Sequence, residues 1–129
     1  MFLEKGALYR PTQEEYHEAL AYRELTIRNM ELLFVRKKLD ALIYPTTLAT
    51  AHPLDEARSR QGSARGASSY SYFRNVSLAS ALGLPAISLP IGRTADGLCV
   101  GLELAALPGK DDSLLLMARK VEEATKGVE

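Results

Sequence analysis

The sequence predicts an α/β unit: a partial mixed sheet of about three strands, with a long N-terminal helix, a short middle helix and a C-terminal helix. Three observations predict it. Residues 13–38 carry a helical apolar stripe behind a capping box, residues 85–106 hold two strand-like runs around a turn, and residues 113–125 return to helical spacing.

Thr12-Gln13-Glu14-Glu15 is a capping box, in which the Thr12 hydroxyl accepts from the Glu15 backbone N–H while the Glu15 side chain reaches back. A helix over about 13–38 follows, with Tyr16, Leu20, Ile27, Met30 and Phe34 on one stripe and polar pairs such as Glu24/Arg28 elsewhere. At ~1.5 Å per residue it runs roughly 40 Å. Arg36, Lys37 and Lys38 put positive charge at its C-terminal end, where the helix dipole is negative. Residues 41–45 read as a short apolar strand stopped by Pro45. Thr46 and Thr47 follow at the strand end, where open α/β sheets collect ligands.

From residue 48 to 72, Ser, Gly, Ala and Arg replace any periodic apolar pattern, which reads as a long loop. Asn75 then offers an N-cap for a helix over about 76–82, Gly83 a left-handed stop, and Pro85 a residue that cannot continue it. Residues 85–91 are nearly all apolar and suit a strand covered on both faces in the middle of a sheet, ended by Pro90. Asp96-Gly97 is the strongest turn signal. Over 98–106 the chain alternates, with Leu98, Val100, Leu102 and Leu104 on one face and Cys99, Gly101, Glu103 and Ala105 on the other. Asp111, Asp112 and Ser113 offer a cap for an amphipathic helix over about 113–125, with Gly127 as its stop.

The 129 residues read as a single unit, and 47% hydrophobic with 25% charged residues is ordinary for a soluble globular domain. Arg58, Arg60, Arg65 and Arg74 lie near Tyr70, Tyr72 and Phe73, a pattern that single-stranded nucleic acid would favour. The formal net charge of zero argues against it, and against an anionic membrane surface. No apolar run approaches the ~20 residues that span a bilayer, and MFLEKGALYR lacks a signal-peptide pattern. The expectation is a soluble cytoplasmic protein with neither nucleic acid nor membrane as partner. Cys99 is the one cysteine, so it forms no internal disulfide, and inside a strand it reads as a small buried hydrophobe.

Candidate chemistry is sparse. His17, His52 and Cys99 are not at metal-ligand spacing, so neither metal nor cofactor is expected. Ser68, His52 and Asp55 can be assembled into a triad on paper, but no strand-turn-helix elbow surrounds the serine, and a polar loop is the better reading. Glu103 lies inside a strand. It reads either as a paired or catalytic carboxylate or as a residue on a solvated face, and the solvated face is the expectation.

Asp40-Ala-Leu-Ile-Tyr-Pro-Thr-Thr47, then Asn75 leading to Leu84-Pro-Ala-Ile-Ser-Leu-Pro-Ile-Gly92, then Asp96-Gly-Leu-Cys-Val-Gly-Leu-Glu103 and the Asp112-Ser-Leu-Leu-Leu116 helix, resemble successive landmarks of amidase-signature enzymes. The resemblance is to their C-terminal portion. Arg74-Asn75 and Leu82-Gly-Leu-Pro85 are closer to the mandelamide and indoleacetamide hydrolase branch than to the glutamyl-tRNA amidotransferase A subunits.

Enzymes of this family hydrolyse carboxylic amides without cofactors, through a Ser nucleophile, a second Ser in a cis peptide and a Lys, all upstream of the matched region. The resemblance therefore implies no catalytic residue in this chain. The adjacent pair Ser68-Ser69 sits in a Gly-Ala-Ser-Ser-Tyr setting without the family's flanking glycines. What the resemblance does imply is pocket lining by Thr46, Thr47, Tyr72, Arg74 and Asn75. It implies a C-terminal fragment or truncated amide hydrolase, inactive alone, with a non-catalytic interaction module as the alternative. Strands taken from a large mixed sheet have open edges, so the expected partners are another copy, through those edges or exchanged elements, or an upstream amidase portion.

Overall fold

The computed structural model describes residues 10–51 and 73–126; Gly127 and nearly all of the 48–72 loop lie outside them. Helix α1 spans Gln13–Lys37 and starts at the capping box: Glu15 N donates to Thr12 Oγ1 at 3.2 Å and Thr12 N to Glu15 Oε2 at 2.7 Å. Lys38 ends it in the left-handed conformation, with φ 53°. Among the described residues the helix packs through its C-terminal half. Ile27 and Met30 lie against Ala79, Leu82 and Leu84, and Phe34 is buried, whereas Tyr16 and Leu20, expected on the same buried stripe, are exposed.

Strand β1 is Leu42–Pro45, helix α2 is Val76–Leu82, strands β2 and β3 are Ala86–Arg93 and Cys99–Ala105, and helix α3 is Asp111–Thr125. The α/β class and, among the described residues, the three strands agree with the sequence reading. Strand order is β1-β3-β2, and both pairings are antiparallel. β2 was expected in the middle of the sheet, but β3 takes that place. β2 forms a hairpin with β3 on one side while β1 pairs on the other, and an apolar run cannot by itself distinguish a central strand from an edge strand covered by a helix. Nor does Pro90 end β2. The strand continues to Arg93 across an irregularity between Pro90 and Gly92, because a residue with no N–H is tolerated at an edge or bulge.

The turn is where Asp96-Gly97 predicts it. Gly97 has φ +80°, its N–H bonds the Thr94 carbonyl at 2.8 Å, and Thr94 N bonds the Leu98 carbonyl at 2.9 Å. Cys99, expected inside, is exposed, because it opens β3 at the turn end of the hairpin, opposite Arg93.

Residues paired across a ladder share a face. Ile43, Leu104 and Ile87 therefore look one way, as do Pro45, Leu102 and Leu89. Helix α3 covers the β2 and β3 part of this face, where Leu114 and Ala118, with Met117 and Val121 alongside, pack on Leu89, Leu104, Ala106 and Ile87, while Ile43 of β1 stays exposed. Each of the buried leucines there contributes about 1.5–3 kcal/mol. α3 starts two residues before the expected position. Lys110 is its cap residue without a side-chain bond, and Asp111 and Asp112 lie in the first turn, where negative charge meets the positive end of the dipole. No helix among the described residues is long and apolar enough to cross a membrane.

Candidate functional site

The other face of the sheet carries the polar chemistry. Tyr44, Glu103 and Ser88 stand side by side on β1, β3 and β2, in register. The Tyr44 hydroxyl donates to Glu103 Oε1 at 2.9 Å. Glu103 is only 5% exposed, so the solvated-face reading is overturned: it is a buried carboxylate held by a hydrogen bond. The strand alternation did put Glu103 opposite the leucine face. It could not show that Tyr44 arrives from β1 to hold it there. Burial first, and then the Glu103 hydrogen bond and charge, push the Tyr44 phenol well above its ordinary 10.0, so it remains a donor.

One step along the sheet, Thr46 N donates to the Gly101 carbonyl at 2.9 Å, and the Thr46 and Ser88 hydroxyls are hydrogen-bonded to each other. They meet over Gly101. A Cβ built there would lie 2.9 Å from Thr46 Oγ1 and 3.1 Å from Ser88 Oγ, so the absent side chain makes room for the pair.

Helix α2 stands over this face and is fixed from two sides. Asn75 is not a side-chain cap. Its own backbone is already helical, and its Nδ2 donates to the Pro45 carbonyl at 2.6 Å, tying the start of α2 to the end of β1. At the other end Gly83 closes the helix with φ 67°. From α1, Arg23 donates through Nε to the Ala81 carbonyl at 2.9 Å and through Nη2 to that of Leu82 at 3.0 Å. These are carbonyls that the helix leaves without intrahelical partners.

Between α2 and the sheet lies an open cleft of about 330 Å³, walled by Val76, Ala79, Ser80 and Leu84, with Ser88 and Glu103 in its floor. Of the residues expected to line a pocket, Thr46 and Asn75 are brought together at the end of β1, one against the floor serine and the other beside the first wall residue. Thr47 is exposed, with its hydroxyl turned to the Ala49 carbonyl at 2.9 Å. Arg74 is exposed, and Tyr72 lies outside the described residues. Ser88 and Glu103 in the floor, and Tyr44 and Gly101 beside them, carry no local signal of this role in the sequence, since only strand pairing assembles them.

This floor is suited to binding. The Ser88 hydroxyl is bonded to that of Thr46, and the Glu103 carboxylate accepts from the Tyr44 hydroxyl, so Ser88 and Glu103 do not form a nucleophile–base pair. No group of three or more His, Cys, Asp or Glu among the described residues could hold a metal.

Comparison with known proteins gives the same answer as the landmarks. The Amidase family model matches residues 2–115. The chain is 39% identical over 105 residues to the mandelamide hydrolase of Pseudomonas putida, covering 78% of this chain and 19% of that protein. It is 36% identical over 88 residues to the indoleacetamide hydrolase of Agrobacterium vitis, covering 67% and 19%. Among solved structures, 6-aminohexanoate cyclic dimer hydrolase complexed with substrate superposes with a TM-score of 0.72 at 26% identity, over 90% of this chain and 25% of that one. The chain thus spans about a fifth of the length of the curated relatives it matches. Matched over nearly all its length by the family model, this chain belongs to the Amidase family.

Proposed function

We propose that the chain is the C-terminal portion, or a truncated form, of an enzyme that hydrolyses carboxylic amides, and that it has no turnover alone. The observation that carries this reading is the extent of the match: residues 2–115 fit the family, yet the 105 residues that align with mandelamide hydrolase cover only 19% of that protein. The sequence holds no Gly-flanked serine pair, so the nucleophile comes from elsewhere. In this reading Thr46, Thr47, Tyr72, Arg74 and Asn75 form one wall of the amide pocket. The Asn75 to Pro45 hydrogen bond supports it by fixing the α2 start against the threonine end of β1.

A chimera tests the proposal. The matching segment of the Pseudomonas putida mandelamide hydrolase is replaced by this chain, and mandelamide and a panel of aryl and alkyl amides are assayed beside the chain alone. The expected result is turnover by the chimera and none by the chain. A folded chimera with no turnover of any amide refutes the hydrolase role, and serine-independent turnover by the chain alone refutes its dependence on an upstream portion.

A second reading, a non-catalytic interaction module, is favoured by the apolar side chains that α1 leaves in solvent, among them Tyr22 at 73% and Val35 at 75% exposure. Its partner in that reading is a second copy of the chain.

A further inference from the structure

We propose that the cleft between α2 and the β2–β3 floor is a subsite for an ammonium group on a small ligand, with Glu103 as its acceptor and Tyr44 as the residue that positions the carboxylate. The inference rests on the amide-hydrolase reading for the kind of ligand, an amide bearing a free amino group remote from the bond to be cut.

Glu103 is a carboxylate with 5% of its surface exposed. Burying a charge is unfavourable unless it is paired as well as hydrogen-bonded. Its hydrogen-bond partner among the described residues is neutral: the Tyr44 hydroxyl, on Oε1. Glu103 is one of the residues that line the cleft, and its carboxylate has acceptor capacity beyond the single Tyr44 bond. A cation there completes the pair that the fold begins.

The surroundings fit an ammonium attached to a short hydrocarbon. Val76, Ala79 and Leu84 supply apolar walls, while Ser80 and Ser88 put hydroxyl groups at the wall and floor. A volume of about 330 Å³ is at the lower end of what small ligands occupy. Tyr44 keeps its proton through the neutral range, so it holds one carboxylate oxygen and leaves the other for the ligand.

The test titrates benzylammonium, and separately its neutral counterpart benzyl alcohol, into the full 129-residue chain followed by amide-resolved NMR. Benzylammonium is expected to shift Ser88, Glu103 and the α2 wall, and to bind ~10-fold or more tightly than the alcohol, as a charge-assisted hydrogen bond requires. Glu103→Gln preserves an acceptor for the Tyr44 hydroxyl and is expected to bring the two affinities together. Ser80→Lys, at an exposed position on the cleft wall, is expected to abolish ammonium binding by placing a tethered cation at the mouth. Equal affinity for the two probes, shifts confined to other surfaces, or an unchanged preference in both variants overturns the proposal. The outcomes separate cleanly from the chimera assay. Turnover by the chimera without ammonium preference in the chain refutes the subsite alone, and ammonium preference without turnover refutes the hydrolase reading alone.

Discussion

At the scale of single residues, Tyr44 and Glu103 are the pair on which the polar face depends. Removing the hydroxyl with Tyr44→Phe leaves the Glu103 carboxylate buried with its donor gone, which should cost about 1.5–3 kcal/mol near neutral pH, as read by urea unfolding. The same substitution changes the alkaline limb of stability. Because the folded-state pKa of Tyr44 is raised, the folded chain keeps a proton that the unfolded chain releases above its ordinary 10.0. The stabilisation tied to that shift is complete below pH 10 and is lost as pH rises beyond it. The parent chain should therefore lose stability more steeply than Tyr44→Phe above pH 10, and parallel slopes would show that the phenol is not held as described. Gly101→Ala probes the neighbouring pair. Its Cβ would come 2.9 Å from Thr46 Oγ1, so the hydroxyls must part, at about 1–3 kcal/mol in the same unfolding measurement.

At the scale of elements, α2 is the piece whose position matters most and whose own sequence supports it least. It has seven residues, too few to be stable as an isolated helix, and is held by Asn75 at one end and Arg23 at the other. Arg23→Ala removes two hydrogen bonds to the last carbonyls of α2 and should destabilise the chain by about 1–2 kcal/mol. Arg23→Lys should recover only part of this, because a point charge does not reproduce the fork that reaches both Ala81 and Leu82. Full recovery by lysine in thermal melts would mean that the contact is simple charge at a helix end. Helix boundaries were readable because their signals are local, and the capping box and Gly83 act over a few residues. The bonds that position the helices against one another span 58 and 59 residues in the case of Arg23, and no local pattern announces them.

For the whole molecule, α3 covers β2 and β3 on one face of the sheet and an open cleft crosses the other, with β1 and β2 as edges among the described residues. The two edges differ. β2 has Pro90 and an irregular register, which discourage pairing, whereas β1 exposes Ile43 at 59%. If a second copy is the partner, association runs through β1 or the apolar face of α1. Ile43→Lys and Leu32→Lys should then lower the apparent mass in sedimentation velocity. A parent chain that stays monomeric across the concentration range, or oligomers indifferent to both changes, would eliminate self-association through these surfaces.

The sequence by itself determined the class, the six elements of the described residues and the family landmarks, because helix caps, glycine stops, the Asp96-Gly97 turn and residue alternation are set by neighbours in the chain. It also put Thr46 and Asn75 where a strand ends and a helix begins. Only the tertiary structure decided that β3 is central, that Cys99 faces solvent and that Glu103 is buried beneath Tyr44. The reason is physical: burial and pairing in a sheet depend on which strand lies alongside, and here Tyr44 and Glu103 meet across 59 residues of chain.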